Sequence, residues 1–389
     1  SSRAIMGSKV LNSKPTIRRQ VMKEDFTTIV GMDVHKSSIT IAFAGTEDKS
    51  DVRLYGKIGG TAAALDTFLK GLVSKGIKPR FVYEAGPCGY VIYRHLTKKG
   101  YPCKVIAPSL TPRKSGDRIK NDTRDAITLA RSERSGDLTE VIVPSEEDEA
   151  MRDLTRARED AVKARTRAYQ HLKAFLLRRG IRYGRKGDWG PAHMAWLHGI
   201  TMDLPASGAV LKDYIATVVA CQVRVKKLEE EIKRLVPGWR MGPVVRACQA
   251  MRGIGPVTAA TIAAETGDMA PLDSPEQFMA YIGIIPSESS TGDTIRRGRI
   301  TKTGNSHIRF VLIEAAKQYC HAARISRELM KRQEGLAKDV IDIAWKAQKR
   351  LCKRFITFVM RGKHNNTTAV AIARELAGFV WALVRQVQM

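Results

Sequence analysis

The periodicity of the chain changes once, near residue 146, and that change limits what it can fold into. Between 28 and 146, short apolar runs alternate with amphipathic stretches. Thr27–Ala44 reads as strand, turn and strand, with Ile39, Ile41 and Phe43 at period two. Residues 61–75 place Ala64, Phe68 and Leu72 on one helix face, and Arg80–Tyr83 is a short buried strand ending at Glu84. A helix over 90–99, a strand at Cys103–Ile106 and a helix around Asp122–Arg134 complete the pattern. Strands alternating with helices predict an α/β unit with a mixed or parallel sheet. Beyond Glu146 the apolar step becomes three and four: Leu154, Ala157, Ala161, Ala164, Ala168, Leu172 and Phe175, then Leu211, Ile215, Val218, Val225, Leu228, Ile232 and Leu235. Two long amphipathic helices around a Gly/Trp-rich insertion at 180–204 predict a helical hairpin or coiled coil. Pro237-Gly238 ends the second helix. The rest is mostly helical, with one polar loop at 286–305. The expected organisation is a flexible basic arm at 1–27, an α/β domain at 28–146, the hairpin at 147–240 and a helical domain at 241–389.

Composition narrows the function class. The 389 residues are 43% apolar, enough for a real core, yet 66 Lys and Arg face 39 Asp and Glu, a formal net charge of +27. Excess positive charge spread over the whole length points to a polyanion partner. No stretch approaches 18 consecutive apolar residues, which argues against a membrane span, and the polar, basic start argues against a secretory signal. Six cysteines form no CxxC pair, so they read as reduced thiols of a cytoplasmic protein rather than as a zinc site. Arg152, Arg156, Arg158, Lys163, Arg165 and Arg167 crowd the first long helix. Phosphate contact and a solvated exterior are equally good readings of that face.

Four acids stand where α/β sites form. Asp33 follows Val30-Gly31-Met32 at a strand end, and Glu84 ends another strand before Ala-Gly-Pro. Asp122 and Asp125 lie three apart at the start of a helix and project from one face. Taken singly, each acid has a structural reading: a turn residue, a strand-end charge, a helix cap. Together they form a set that would repel strongly without cations and would suit two hard divalent ions on oxygen ligands. No spacing assigns a metal role to His35 or His307.

Two further motifs lie near the carboxyl end. Gly253-Ile-Gly255 precedes a helix, a placement that lets backbone N–H groups cradle phosphate in the style of a helix-hairpin-helix, or that simply makes an αα turn. The loop Gly283–Gly292 is rich in hydroxyls and is followed by Arg296, Arg297, Arg299, Lys302 and Asn305. Those cations could hold a phosphodiester; a solvated basic loop is the plainer reading.

Val30-Gly-Met-Asp-Val-His-Lys36, Tyr83-Glu-Ala-Gly-Pro87 and Lys120-Asn-Asp-Thr-Arg-Asp-Ala126 resemble the DEDD transposases of bacterial insertion sequences, a family that includes pilin-gene inversion recombinases and bridge-RNA-guided recombinases. The resemblance implies a RuvC/RNase H-like amino-terminal domain. In it Asp33, Glu84, Asp122 and Asp125 would be catalytic and hold Mg²⁺, two ions per site. It implies phosphate contacts by Lys120, Gly253, Gly255, Arg296, Arg297, Arg299, Lys302 and Asn305. It implies donor and target DNA as substrates, a structured guide RNA, a homo-oligomer (dimer or tetramer) assembled through the hairpin, and a bacterial cytoplasmic setting away from membranes. The family attacks DNA with a serine immediately before a glycine. Here Thr291 holds that position and Ser290 precedes it, so the sequence departs from the pattern. The less crowded primary hydroxyl favours Ser290, and Thr291 stays open. Two rival readings remain, a RuvC-like structure-selective nuclease and a non-catalytic nucleic-acid-binding protein.

Overall fold

The computed structural model describes residues 26–46, 52–108, 121–289, 294 and 296–388. Lys120, Ser290, Thr291 and nearly all of the amino-terminal arm lie outside the described residues. The chain divides into two compact units, 1–143 and 144–389.

Among the described residues, the first unit is a mixed five-stranded sheet carrying three helices. Its strands are β1 (Thr28–Val34), β2 (Ser38–Gly45), β3 (Arg53–Gly59), β4 (Pro79–Glu84) and β5 (Cys103–Ile106), in the order β3-β2-β1-β4-β5. β1 pairs antiparallel with β2 and parallel with β4. β2–β3 is antiparallel and β4–β5 parallel. The period-two pattern sorts side chains to two faces. Val30, Met32, Ile41, Phe81 and Tyr83 pack against Leu65, Phe68 and Leu72 of α1 (Ala62–Ser74) and Leu96 of α2 (Val91–Lys98). Ile29, Ala42, Val82 and Ile106 face the other way, onto Ala126, Leu129 and Ala130 of α3 (Asp122–Ser135). Edge strand β3 escapes the sequence reading because Arg53-Leu-Tyr-Gly-Lys-Ile-Gly carries two glycines and two cations. Its pairing is held by the Tyr55 ring, 4.9 Å from Phe68 and 5.2 Å from Phe43.

The second unit is almost wholly helical. α4 (Glu146–Leu177) and α6 (Pro205–Leu235) pack along each other, with α5 (Pro191–His198) inside the insertion between them. At one end Leu172, Phe175 and Leu176 meet Leu211, Ile215, Val218 and Leu197. At the other, Met151, Ile232 and Val236 enter the core built by α7 (Gly242–Cys248), α8 (Pro256–Thr266), α9 (Pro275–Tyr281), α10 (Ser306–Ala316), α11 (Arg327–Gln333), α12 (Lys338–Met360) and α13 (Asn365–Gln388). The pairing is therefore antiparallel. Met151, Ile232 and Val236 at the base of the hairpin share one buried cluster with the helices beyond residue 240. The polar loop at 286–305 contains a short β-hairpin, β6 (Pro286–Glu288) against β7 (Arg297–Ile300). α13 meets the length and hydropathy of a membrane span, with half of that stretch buried in this unit. Ile372, Leu376, Val380 and Leu383 supply that buried side, against α12, α10, α9 and α7.

Candidate active site

Gly31 sets how closely α3 approaches the sheet. A Cβ there would fall inside contact with the Ala126 carbonyl oxygen and 2.7 Å from the Ala130 nitrogen. With no side chain in the way, α3 lies flat on β1 and its first turn reaches the end of that strand. Asn121 caps the helix, its side chain accepting from the Thr123 N–H at 3.0 Å. The capping reading of Asp122 therefore falls away, and its carboxylate is left to project toward β1.

Asp33 lies two residues beyond Gly31, on the same face of the strand. Its Oδ2 is 3.1 Å from His35 Nε2, and the same nitrogen is 3.4 Å from Asp122 Oδ1. Asp33, His35 and Asp122 each offer one donor atom within 4.8 Å of the others. Lys57 on β3 places Nζ 3.5 Å from Asp122 Oδ2. Burial raises the Asp33 carboxyl above its ordinary range. His35 opposes that rise, while the negative charges of Asp125 and Asp122 reinforce it. Partial desolvation also pushes Asp122 up, but His35 and Lys57 together hold it below the usual range.

The four predicted acids are thus not equally gathered. Asp33 and Asp122 meet, and Asp125 is near enough to act on Asp33 electrostatically. Glu84 stands one residue past the Met32–Tyr83 register pair, on the strand next to Asp33 and on the α3 face that Val82 marks. It lies outside the three-residue cluster found among the described residues. Spacing gives His35 no ligand role, yet its ring bridges the two aspartates. The short turn after β1 returns it over the strand end, a geometry that spacing alone does not encode. Two carboxylates and an imidazole, with a third carboxylate's field on Asp33, form a donor set suited to a divalent cation. Burial and, after it, the negative charges of Asp125 and Asp122 raise Asp33, and a bound cation would offset both.

In the second unit the predicted phosphate contacts separate into two kinds. Asn305 is occupied internally: its Oδ1 accepts from the His307 and Ile308 N–H groups, capping α10, and its Nδ2 donates to Glu265 Oε2 at 2.8 Å. Gly253, at φ +79°, meets the backbone of Ala315, so close helix packing accounts for it. Gly255 caps α8 in an extended conformation that any residue adopts, with open space around its Cα. Arg296, Arg297, Arg299 and Lys302 are exposed on and beside β7, where Arg297 faces Glu288 at 3.7 Å.

Much of the arginine-rich face of α4 is paired within the chain, while Lys163 and Arg167 are exposed. Arg156 grips buried Glu265 with Nε at 2.6 Å and Nη2 at 2.9 Å, Arg152 donates to the Ala264 carbonyl oxygen, and Arg158 pairs with Glu229. Glu159 accepts from Lys163 at 2.8 Å and lies 2.5 Å from His307. Desolvation pushes Glu265 up, but Arg156, Asn305 and Arg152 outweigh it and hold its carboxyl low. Sequence reasoning missed Glu265, a lone acid in an apolar helix. This network fixes α4, α8 and the start of α10. At the foot of the hairpin, Gly283 (φ +67°) and Gly304 (φ +122°) allow the backbones of Tyr281–Gly283 and Thr303–Asn305 to touch. Hydrogen bonds from Lys302 N to Gly283 O and from Thr301 N to Ile285 O hold the strands together.

The Transposase IS116/IS110/IS902 family matches residues 245–331, and a second transposase family, the DEDD type of IS110 elements, matches residues 30–179. A relative from Sinorhizobium fredii, carrying the name transposase y4qE, is 42% identical over 92% of this chain and 88% of its own length. The transposase for insertion sequence element IS1533 of Leptospira borgpetersenii is 30% identical over 84% of this chain and 95% of its own. The chain belongs to the insertion-sequence transposases. The transposase is a DNA-acting enzyme, and its DEDD-type match spans all four predicted acids, from Asp33 to Asp125.

Proposed function

We propose that Asp33, Glu84, Asp122 and Asp125 are the metal-holding acids of a RuvC-like catalytic domain, with His35 as an added donor. The convergence of Asp33 and Asp122 on one imidazole carries this reading. The strand order supports the fold assignment, with three antiparallel strands extended by parallel β4 and β5. Mg²⁺, two ions per site, suits the oxygen-rich set. Bound there, divalent cations polarise the phosphodiester and stabilise charge on its oxygens.

The chain's own groups do the rest. Lys57 and His35 hold Asp122 ionised, and Asn121 leaves its carboxylate free of capping. A hydroxyl of Ser290 or Thr291 attacks phosphorus, giving up its proton as it forms a phosphoester to the protein, and one deoxyribose oxygen leaves and is protonated, so the energy of the broken bond is kept. Exposed Arg296, Arg299 and Lys302 beside that loop supply cations for the phosphate. Donor and target DNA, a structured guide RNA and a homo-oligomer complete the reading; base pairing would then supply sequence choice while the protein reads the backbone.

Asp33→Asn and Asp122→Asn, assayed on supercoiled DNA with Mg²⁺ and copurified RNA, are each expected to abolish strand breakage while leaving DNA binding intact. Undiminished breakage in either variant would overturn the carboxylate reading. Ser290→Ala and Thr291→Val, tested separately, decide which hydroxyl forms the denaturation-resistant protein–DNA adduct. Breakage with no adduct in the unaltered protein would favour a hydrolytic nuclease.

A further inference from the structure

One helix face in the second unit plays no part in the chemistry above. From residue 343 to 374 the chain contains no Asp or Glu, yet it holds Lys346, Lys349, Arg350, Lys353, Arg354, Arg361, Lys363 and Arg374. Most of that stretch is α12. Its inner side is fixed: Ala344, Ala347, Leu351, Cys352 and Phe355 are buried in the core. The 3.6-residue turn then sends Lys346, Lys349, Arg350 and Lys353 outward together, and all are exposed. Neighbours three and four apart on this face are of like charge and repel. One carboxylate, Glu375, answers Arg350 at 2.8 Å and Arg354 at 2.5 Å. Among the described residues no ion pair is formed by Lys346, Lys349, Lys353 or Arg361. Lys349 instead lies over the Trp345 ring, and Lys363 over Phe358.

We propose that this outward face of α12 is a docking surface for the sugar–phosphate backbone of duplex DNA. The inference rests on DNA being the substrate. A repelling row of cations is unfavourable in isolation, and a polyanion laid along it reverses the sign. The row on α12 runs from Lys346 to Arg354, about 12 Å at 1.5 Å per residue, and Arg361 and Lys363 follow past the helix end. Each strand of a duplex offers a phosphate about every 3.4 Å of axis, so about three to four face such a length. An acidic protein surface would present scattered carboxylates on mobile stems. A duplex presents a continuous rigid row, matched by a rigid helix packed along its whole inner side. The last turns of α12, Phe355–Met360, carry no cation and expose Ile356, Val359 and Met360 instead, so the cations occupy the helix up to Arg354.

The test is the salt dependence of binding to a duplex of arbitrary sequence, longer than the stripe, with the full-length protein in EDTA so that no strand is cut. The triple variant Lys346→Gln/Lys349→Gln/Lys353→Gln is compared with a control altered at exposed cations of the first unit, Lys70→Gln/Lys75→Gln/Lys98→Gln. The proposal expects the slope of log K against log salt to shrink by about 3 in the α12 variant, at roughly 0.9 per lost phosphate contact. The control should keep the original slope, and both proteins should melt no lower than the unaltered one. Should the triple variant fail to fold, Arg361→Gln/Lys363→Gln is expected to shrink the slope by about 2. An unchanged DNA slope in a folded α12 variant overturns the proposal. So does a change seen only with a structured RNA probe. Because cutting is not measured, failure of the carboxylate reading would leave this result standing, and Asp33→Asn should bind with the unaltered slope.

Discussion

Alanine at Gly31 would set a methyl group against the backbone of α3, where the Ala130 nitrogen lies 2.7 Å from the added carbon. The helix must retreat, and Asp122 retreats with it. Gly31→Ala is expected to cost about 1–3 kcal/mol of stability, as overpacking does, and to lower strand breakage by far more than that loss of folded protein explains. Thermal melting and Mg²⁺-dependent nicking, measured together, separate the two effects. Glu265 gives a pH signature. Its carboxyl is held low in the folded state by Arg156 and Asn305. A depressed carboxyl stabilises fully above the ordinary glutamate range and loses that stabilisation as pH falls through the depressed value. Glu265→Gln should therefore destabilise at neutral pH, by about 3 kcal/mol as for a broken buried pair, and flatten the acid limb of the stability profile. An acid limb identical to that of the unaltered protein would refute this. At this scale the sequence discloses the acids but not their partners. Asp33 and Asp122 stand out because carboxylates at a strand end and a helix start are informative. His35 and Glu265 do not, because their importance comes from what the fold folds back onto them.

Elements were easier to read than their neighbours. The period-two runs at Thr27–Ala44 and Arg80–Tyr83, and the long three-four repeats after Glu146, correspond to β1, β2, β4, α4 and α6 because one face of each meets a core. β3 has two exposed apolar side chains and a glycine at φ +131°, so pairing with β2, rather than any intrinsic preference, makes it a strand. The loop at 286–305 reads as polar coil for the same reason: its short ladder is held by backbone contacts at Gly283 and Gly304 that leave no apolar pattern. α3 is the element on which the site depends, and its start is defined by Asn121. Asn121→Ala should cost about 1 kcal/mol and let the first turn fray, weakening the alignment of Asp122 before the helix as a whole is lost. Amide exchange should rise at Thr123–Asp125 and stay unchanged near Leu129. Uniform exchange along α3 would contradict this.

At the scale of the molecule, the net charge of +27 is divided unevenly among the described elements. Much of the α4 arginine face is neutralised internally, by Glu265 and Glu229, whereas α12 and the β7 region keep their cations outward. Composition reveals the total charge but not this division, which depends on which acids the fold delivers to which helix. The continuity of the core across residue 240 is hidden for a similar reason, since Met151, Ile232 and Val236 look like any other hairpin positions until their far neighbours are known. What the sequence carries most directly is the set of acids, and the central claim is that they form one cation-binding centre. Binding of Mn²⁺, a paramagnetic stand-in for Mg²⁺, followed by electron paramagnetic resonance on full-length protein without nucleic acid, tests it apart from catalysis. The account predicts saturable binding that is lost in Asp33→Asn and in Asp122→Asn while both variants stay folded. Binding of equal affinity and stoichiometry in the unaltered protein and both variants would contradict it.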